Sequence, residues 1–102
     1  GLTWTAPVLD ESLIEPVCQA SLIRHGRLLL FSNPASTKRE KMTVKVSHDE
    51  GKSWPVAQVI HEGPAAYSNL VELPDRNVGL LFECGEKSAY ERIDFTSIPV
   101  PR

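Results

Sequence analysis

No apolar run in this chain approaches the roughly 18 consecutive positions that a membrane-crossing helix needs, so no membrane span is expected. The opening "GLTWTAPVLD" also lacks the basic and apolar regions of a signal peptide. Basic runs are missing too, and the formal net charge is −2, which removes the electrostatic footprint of a nucleic-acid binder. Cysteine is scarce: Cys18 and Cys84 stand far apart without a CxxC pair or a histidine cluster, so the usual zinc frameworks are excluded and a single disulfide stays open. A chain of 102 residues suits one small domain with little core to spare.

Helical spacing is also absent. An amphipathic helix repeats apolar residues at intervals of three and four over ten or more positions, and the eight prolines, six glycines and short alternating runs here leave no room for that. The pattern predicts an all-β chain. "VCQASLIR" (17–24) and "RLLLFSN" (27–33) are expected to pair across "HG", where Gly26 supplies the positive φ of a tight hairpin. "KMTVKVS" (41–47) alternates Met42, Val44 and Val46 against Thr43, Lys45 and Ser47, as a half-buried strand would. With "PVAQVI" (55–60) this gives a four-strand meander over 17–60. A second meander runs through "AYSNLVEL" (66–73), "VGLLFE" (78–83) and "YERIDFTSI" (90–98), and it has three strands.

"GLTW" at 1–4 recurs as "GKSW" at 51–54. A period of this size points to propeller blades, four-stranded units that bury their faces only against neighbours. The expected organisation is therefore the end of one blade at 1–16, a whole blade at 17–60, and a last blade at 61–102 without its outer strand. That strand, and the remaining blades, would come from an absent N-terminal part or from other copies of the chain.

Within this frame, "SHDEGKSW" (47–54) is read as S-x-D-x-G-x-x-W. Ser47, Asp49, Gly51 and Trp54 resemble the Asp box of sialidase-type propellers. The residue types suit a turn: Asp49 can accept backbone N–H groups, Gly51 frees the backbone, and Trp54 offers apolar area beneath the hairpin. Too few oxygen ligands are present for a calcium loop. His48 and Lys52 fill the variable positions, while His25 and His61 have no carboxylate or cysteine at useful spacing.

"IEPVCQASLI", "FSNPA", "KREKMTVKVS", the Asp box, "GPAAYSNL" and "GLLFE" together resemble the C-terminal part of bacterial and animal exo-α-sialidases, in order and through nearly the whole chain. That resemblance implies a propeller of the six-bladed type, within the roughly four to eight blades such folds have. It implies that Tyr67 is the nucleophile and that Arg39 is one of three arginines gripping the substrate carboxylate. Glu83 would hold the first of those arginines in place. No segment here matches the other two arginines, the aspartic acid-base residue or the glutamate that activates the tyrosine, so the isolated chain is expected to be inactive. The implied substrates are sialylated glycans, with no cofactor and no metal, and the implied parent is secreted, periplasmic or lysosomal.

The chemistry fits these residue types. Sialic acid carries a carboxylate on its anomeric carbon, so an anionic nucleophile would meet like charge, whereas a phenol does not. A tyrosine nucleophile is a known departure of sialidases from the two-carboxylate scheme. Meander topology puts Tyr67, Arg39 and Glu83 at one end of the sheets and the Asp box at the other. Gln19, on a first strand, is a further candidate for substrate contact, or else a bond to the neighbouring blade. Two other readings remain: a non-catalytic Asp-box module binding glycans or proteins, in which Tyr67 and Arg39 would point apart, and a domain completed by pairing edge strands between copies.

Overall fold

The computed structural model describes residues 3–101 and is all-β. Its strands are β1 (Ser21–His25), β2 (Leu28–Pro34), β3 (Glu40–Ser47), β4 (Val56–Leu73), β5 (Asn77–Cys84) and β6 (Arg92–Pro99). They form one antiparallel sheet in chain order. Among the described residues no helix is long and apolar enough to cross a membrane.

The hairpin at "HG" forms as the sequence predicts. His25 pairs with Leu28, and Gly26 takes φ 60° in the two-residue turn between them. The largest difference from expectation is β4. Two separate strands were expected at 55–60 and 66–73, but a single strand of 18 residues runs through both. Its first half pairs with β3 as far as Glu40↔Pro64, and its second half pairs with β5 from Ala65↔Cys84 onward. Pro64 has no N–H to offer a ladder; it sits where β4 leaves one partner for the other, and its carbonyl accepts the Gly85 N–H at 3.1 Å.

On leaving β3, the second half of β4 exposes backbone donors along the edge that no strand covers. Side chains from the segment around β1 take them. Gln19 Oε1 accepts the Ser68 N–H at 3.0 Å, Gln19 Nε2 donates to the Ser68 carbonyl at 2.9 Å, and Ser21 Oγ accepts the Leu70 N–H at 3.0 Å. Below them the buried hydroxyls of Ser32 and Ser68 lie 2.7 Å apart. These bonds tie the two halves of the curled sheet together over a shared core of Leu30, Met42, Val44, Leu70, Val78, Leu80 and Phe82.

Strand β3 also departs from expectation. Thr43 and Ser47, on its nominally exposed face, are buried. The opening segment lies across that face: Lys45 Nζ donates to the Ser12 carbonyl at 3.3 Å, and Asn33 Nδ2, on β2, donates to the Ile14 carbonyl at 2.8 Å. In the stretch expected to end a blade at 1–16, no strand forms among the described residues, and residues 3–10 are exposed. Among the described residues strand β6 has β5 as its one neighbour, and Val71, Leu81, Ile93 and Phe95 form an exposed apolar face.

The loop joining β5 to β6 is fixed by a glycine. A Cβ on Gly85 would stand 2.1 Å from the Ser88 carbonyl oxygen and 2.5 Å from Glu91 Oε2. Backbone cannot yield that distance cheaply, so Gly85→Ala is expected to destabilise the fold by about 3 kcal/mol. Chemical denaturation measures this, and a loss under about 1 kcal/mol would mean that the loop rearranges freely.

Candidate active site

Tyr67 lies on β4 where the ladder to β5 shifts register between Ala65 and Ser68. A bulge leaves a backbone donor without a ladder partner. Glu83, on β5, supplies the acceptor: its Oε1 takes the Tyr67 N–H at 3.0 Å. The contact observed for Glu83 is thus to the backbone beneath Tyr67. The Tyr67 ring is half exposed, at 50%, so a solute can reach it.

Arg39 ends the connection between β2 and β3, and its carbonyl accepts the Ala65 N–H at 3.0 Å. That bond anchors the Arg39 backbone two residues from Tyr67. Its guanidinium carbon sits 5.8 Å from the centre of the Tyr67 ring, within cation–π range. Nη1 donates to the Tyr90 hydroxyl at 2.6 Å and Nη2 to the Val17 carbonyl at 2.8 Å. Hydrogen bonding to Tyr90 leads the effects that raise Arg39 above the ordinary guanidinium range, so the side chain stays charged. Tyr67 and Arg39 therefore meet; they do not point apart.

Gln19, Tyr67 and Glu83 share an open groove of about 410 Å³ with Ser68, Asn69, Leu81, Phe82 and Ile93. Both ends of the Gln19 amide are engaged by Ser68. Two groups escaped the sequence reading. Tyr90 was assigned to a strand beginning at 90, but β6 starts at Arg92, which leaves Tyr90 in the β5–β6 loop at the same end as Arg39. Val17 was assigned to a strand too, yet it adopts φ 56°, a sparsely populated backbone for a β-branched residue. A topological cue for Tyr90 did exist, because loops between second and third strands share the end occupied by Tyr67.

The Asp box is at the other end, between β3 and β4. Ser47 Oγ accepts the Gly51 N–H and donates to Asp49 Oδ1, each at 2.8 Å. Asp49 Oδ1 also accepts the Ser53 N–H at 2.8 Å, and Oδ2 accepts the Ser53 hydroxyl at 2.6 Å. Gly51 takes φ 86°. Trp54 packs on Phe31 with ring centres 5.8 Å apart, and its indole N–H donates to Asp10 at 3.3 Å. Hydrogen bonds, from Ser53 first, lower Asp49 from 3.8 to about 2. Because the folded-state value is depressed, the turn's contribution is complete above 3.8 and is lost as pH falls toward about 2. Melting temperatures of wild type and Asp49→Asn should differ above that window and converge within it; parallel curves would disconnect Asp49 from stability.

Both cysteines are free thiols. Burial leads the effects that raise Cys18 and Cys84 above the ordinary thiol value, so neither is an activated nucleophile. His61 Nε2 lies 3.1 Å from the Gly85 carbonyl, a structural contact, whereas His25 Nδ1, 3.2 Å from Glu72 Oε1, is buried and makes no hydrogen bond among the described residues. Among the described residues no cluster of three or more His, Cys, Asp or Glu could hold a metal ion.

Comparison with known proteins bears on this arrangement. The family model described as a BNR repeat-like domain matches residues 1–81. The chain is 38% identical over 101 residues to a sialidase of Micromonospora viridifaciens, covering 88% of this chain and 16% of that protein. The chain belongs to the BNR-repeat sialidase family. Sialidase-3 of Mus musculus is 35% identical over 98 residues, covering 91% of this chain and 23% of the relative. A solved structure named Hadza microbial sialidase Hz136 superposes with a TM-score of 0.79 at 36% identity, over 97% of this chain and 21% of that one. This chain is thus part of a β-propeller, and it spans under a quarter of the length of these relatives.

Proposed function

We propose that this chain supplies part of the site of an exo-α-sialidase, which hydrolyses terminal α-linked sialic acids from glycoconjugates with retention of configuration. The observation that carries the reading is the Arg39 guanidinium 5.8 Å from the Tyr67 ring centre, beside an open groove. A sugar whose anomeric carbon bears a carboxylate fits that pair. Arg39 offers a planar fork to the carboxylate, and Tyr67 attacks the adjacent carbon.

In the first half of the reaction the Tyr67 oxygen bonds to the anomeric carbon as the bond to the leaving oxygen breaks. The leaving oxygen takes a proton from an acid, and the Tyr67 phenol gives its proton to a base; both of these groups lie outside this chain. In the second half, water attacks the anomeric carbon from the face the leaving group vacated, giving its proton to the group that served as acid, while the bond to the Tyr67 oxygen breaks and the phenol is reprotonated; the two inversions leave the product in the α configuration. A free phenol titrates near about 10 and is a weak nucleophile at neutral pH, hence the need for that base. Glu83, bonded to the Tyr67 N–H, steadies the strand that carries the nucleophile; the family resemblance adds a bond from Glu83 to another arginine. Because the acid, the base and two arginines are contributed elsewhere, the 102-residue chain is inactive by itself.

The test is to incubate the longer protein with an α-sialoside and follow the released sugar by proton NMR. The α anomer should appear first and the isolated chain should turn over nothing. Initial release of the β anomer would overturn the tyrosine mechanism.

A further inference from the structure

Arg39 is not left to find its own position. Its Nη1 donates to the Tyr90 hydroxyl at 2.6 Å while Nη2 donates to the Val17 carbonyl at 2.8 Å. We infer that Tyr90 is a positioning residue for Arg39: its hydroxyl fixes the guanidinium above the Tyr67 ring so that the remaining N–H groups meet a substrate carboxylate already aligned. This rests on the reading of Arg39 as the carboxylate anchor.

Three features support it. A guanidinium has five N–H donors, so the two bonds to Tyr90 and Val17 leave three for a ligand. An arginine at the end of a loop would otherwise lose rotamer freedom when substrate binds, and that cost would fall on affinity. A neutral phenol is the suitable tether, because a carboxylate in its place would cancel the charge that the ligand has to meet.

Tyr90 itself is held with little help from the core. The residue is 61% exposed, yet its backbone is pinned. Ser88 Oγ accepts the Tyr90 N–H at 3.2 Å, and Glu91 Oε2 accepts the N–H groups of Lys87 at 2.6 Å and Ser88 at 2.7 Å. At the base of the loop, Gly85 bonds Pro64 at 3.1 Å and His61 at 3.1 Å. With so little of its ring buried, the main attachment of the Tyr90 side chain is its hydroxyl on Arg39.

The experiment uses the full-length protein and calorimetric binding of sialic acid and its methyl ester, which removes the charge that Arg39 reads. In Tyr90→Phe, affinity for the free acid should weaken about fivefold, as for loss of one charge-assisted hydrogen bond at a partly exposed site, while the ester changes by less than about twofold. With a sialoside, KM should rise and kcat should change little. Equal weakening of acid and ester, or no weakening of either, overturns the inference. Arg39→Ala separates the two levels: if it leaves the preference for acid over ester intact, the anchor reading itself fails. If Arg39→Ala abolishes the preference and Tyr90→Phe retains it, the assignment of Tyr90 alone fails. Should Tyr90→Phe not fold, Ser88→Ala, which releases the Tyr90 N–H, should lower the same preference; a folded Ser88→Ala with the preference unchanged counts against the inference.

Discussion

Replacing Tyr67 with phenylalanine in the full-length protein is expected to lower kcat by about 10⁴-fold, the scale seen when an enzyme loses its covalent nucleophile. The substitution removes one oxygen and keeps the ring. The guanidinium carbon of Arg39, 5.8 Å from that ring, therefore keeps its neighbour, and the Tyr67 N–H keeps its bond to Glu83. Substrate affinity should stay within about twofold, because the interaction lost is one made in the transition state and the intermediate. Steady-state kinetics on a fluorogenic sialoside measure both quantities. A variant retaining more than about a tenth of wild-type turnover could not be missing its nucleophile.

The second large effect is expected for Arg39→Lys, which keeps the charge and removes the fork. A lysine ammonium is a point donor, and it cannot reach the Tyr90 hydroxyl and the Val17 carbonyl in two directions while facing a carboxylate in a third. Loss of a bidentate, charge-assisted contact corresponds to about 10- to 100-fold in kcat/KM, carried mainly by KM. Arg39→Ala should be worse by a further factor of several, since the remaining attraction between charges is then gone. If lysine supports full kcat/KM, the planar geometry of Arg39 has no part in recognition.

Much of the fold was legible because its signals are local. The tight turn at Gly26 needs one residue tolerant of positive φ, and the box around Asp49 closes within seven positions; both formed where expected. The pairing of Tyr67 with Arg39 was legible from strand order, since meander connections alternate between the two ends of a sheet.

What was not legible depends on segments far apart in sequence. The alternation in β3 marks Thr43 and Ser47 as exposed, yet both are buried: the opening segment crosses that face, and the Asp-box turn closes over the Ser47 hydroxyl. "HEGPA" (61–65), with a glycine and a proline, separates the strands expected at 55–60 and 66–73. The break is avoided because Arg39 and Gly85, from two different loops, bond the backbone of Ala65 and Pro64. Tyr90 reads as a ladder residue because "YERIDFTSI" alternates without a break, whereas β6 starts at Arg92 and leaves Tyr90 in the loop.

The unbroken course of β4 has a mechanical result. Val56, just past the Asp box, and Tyr67, at the groove, belong to one strand, whose side chains alternate faces within each regular stretch between the register shifts at Met42 and at Ala65–Ser68. Sliding that strand by a single position against Val46 and Val44 would carry the phenol about 3.4 Å along and aim it to the opposite side. The wedge of Trp54 on Phe31 at the far end thus helps set where the Tyr67 hydroxyl, the proposed nucleophile, is found, and damage there should be felt in turnover of the full-length protein as well as in melting.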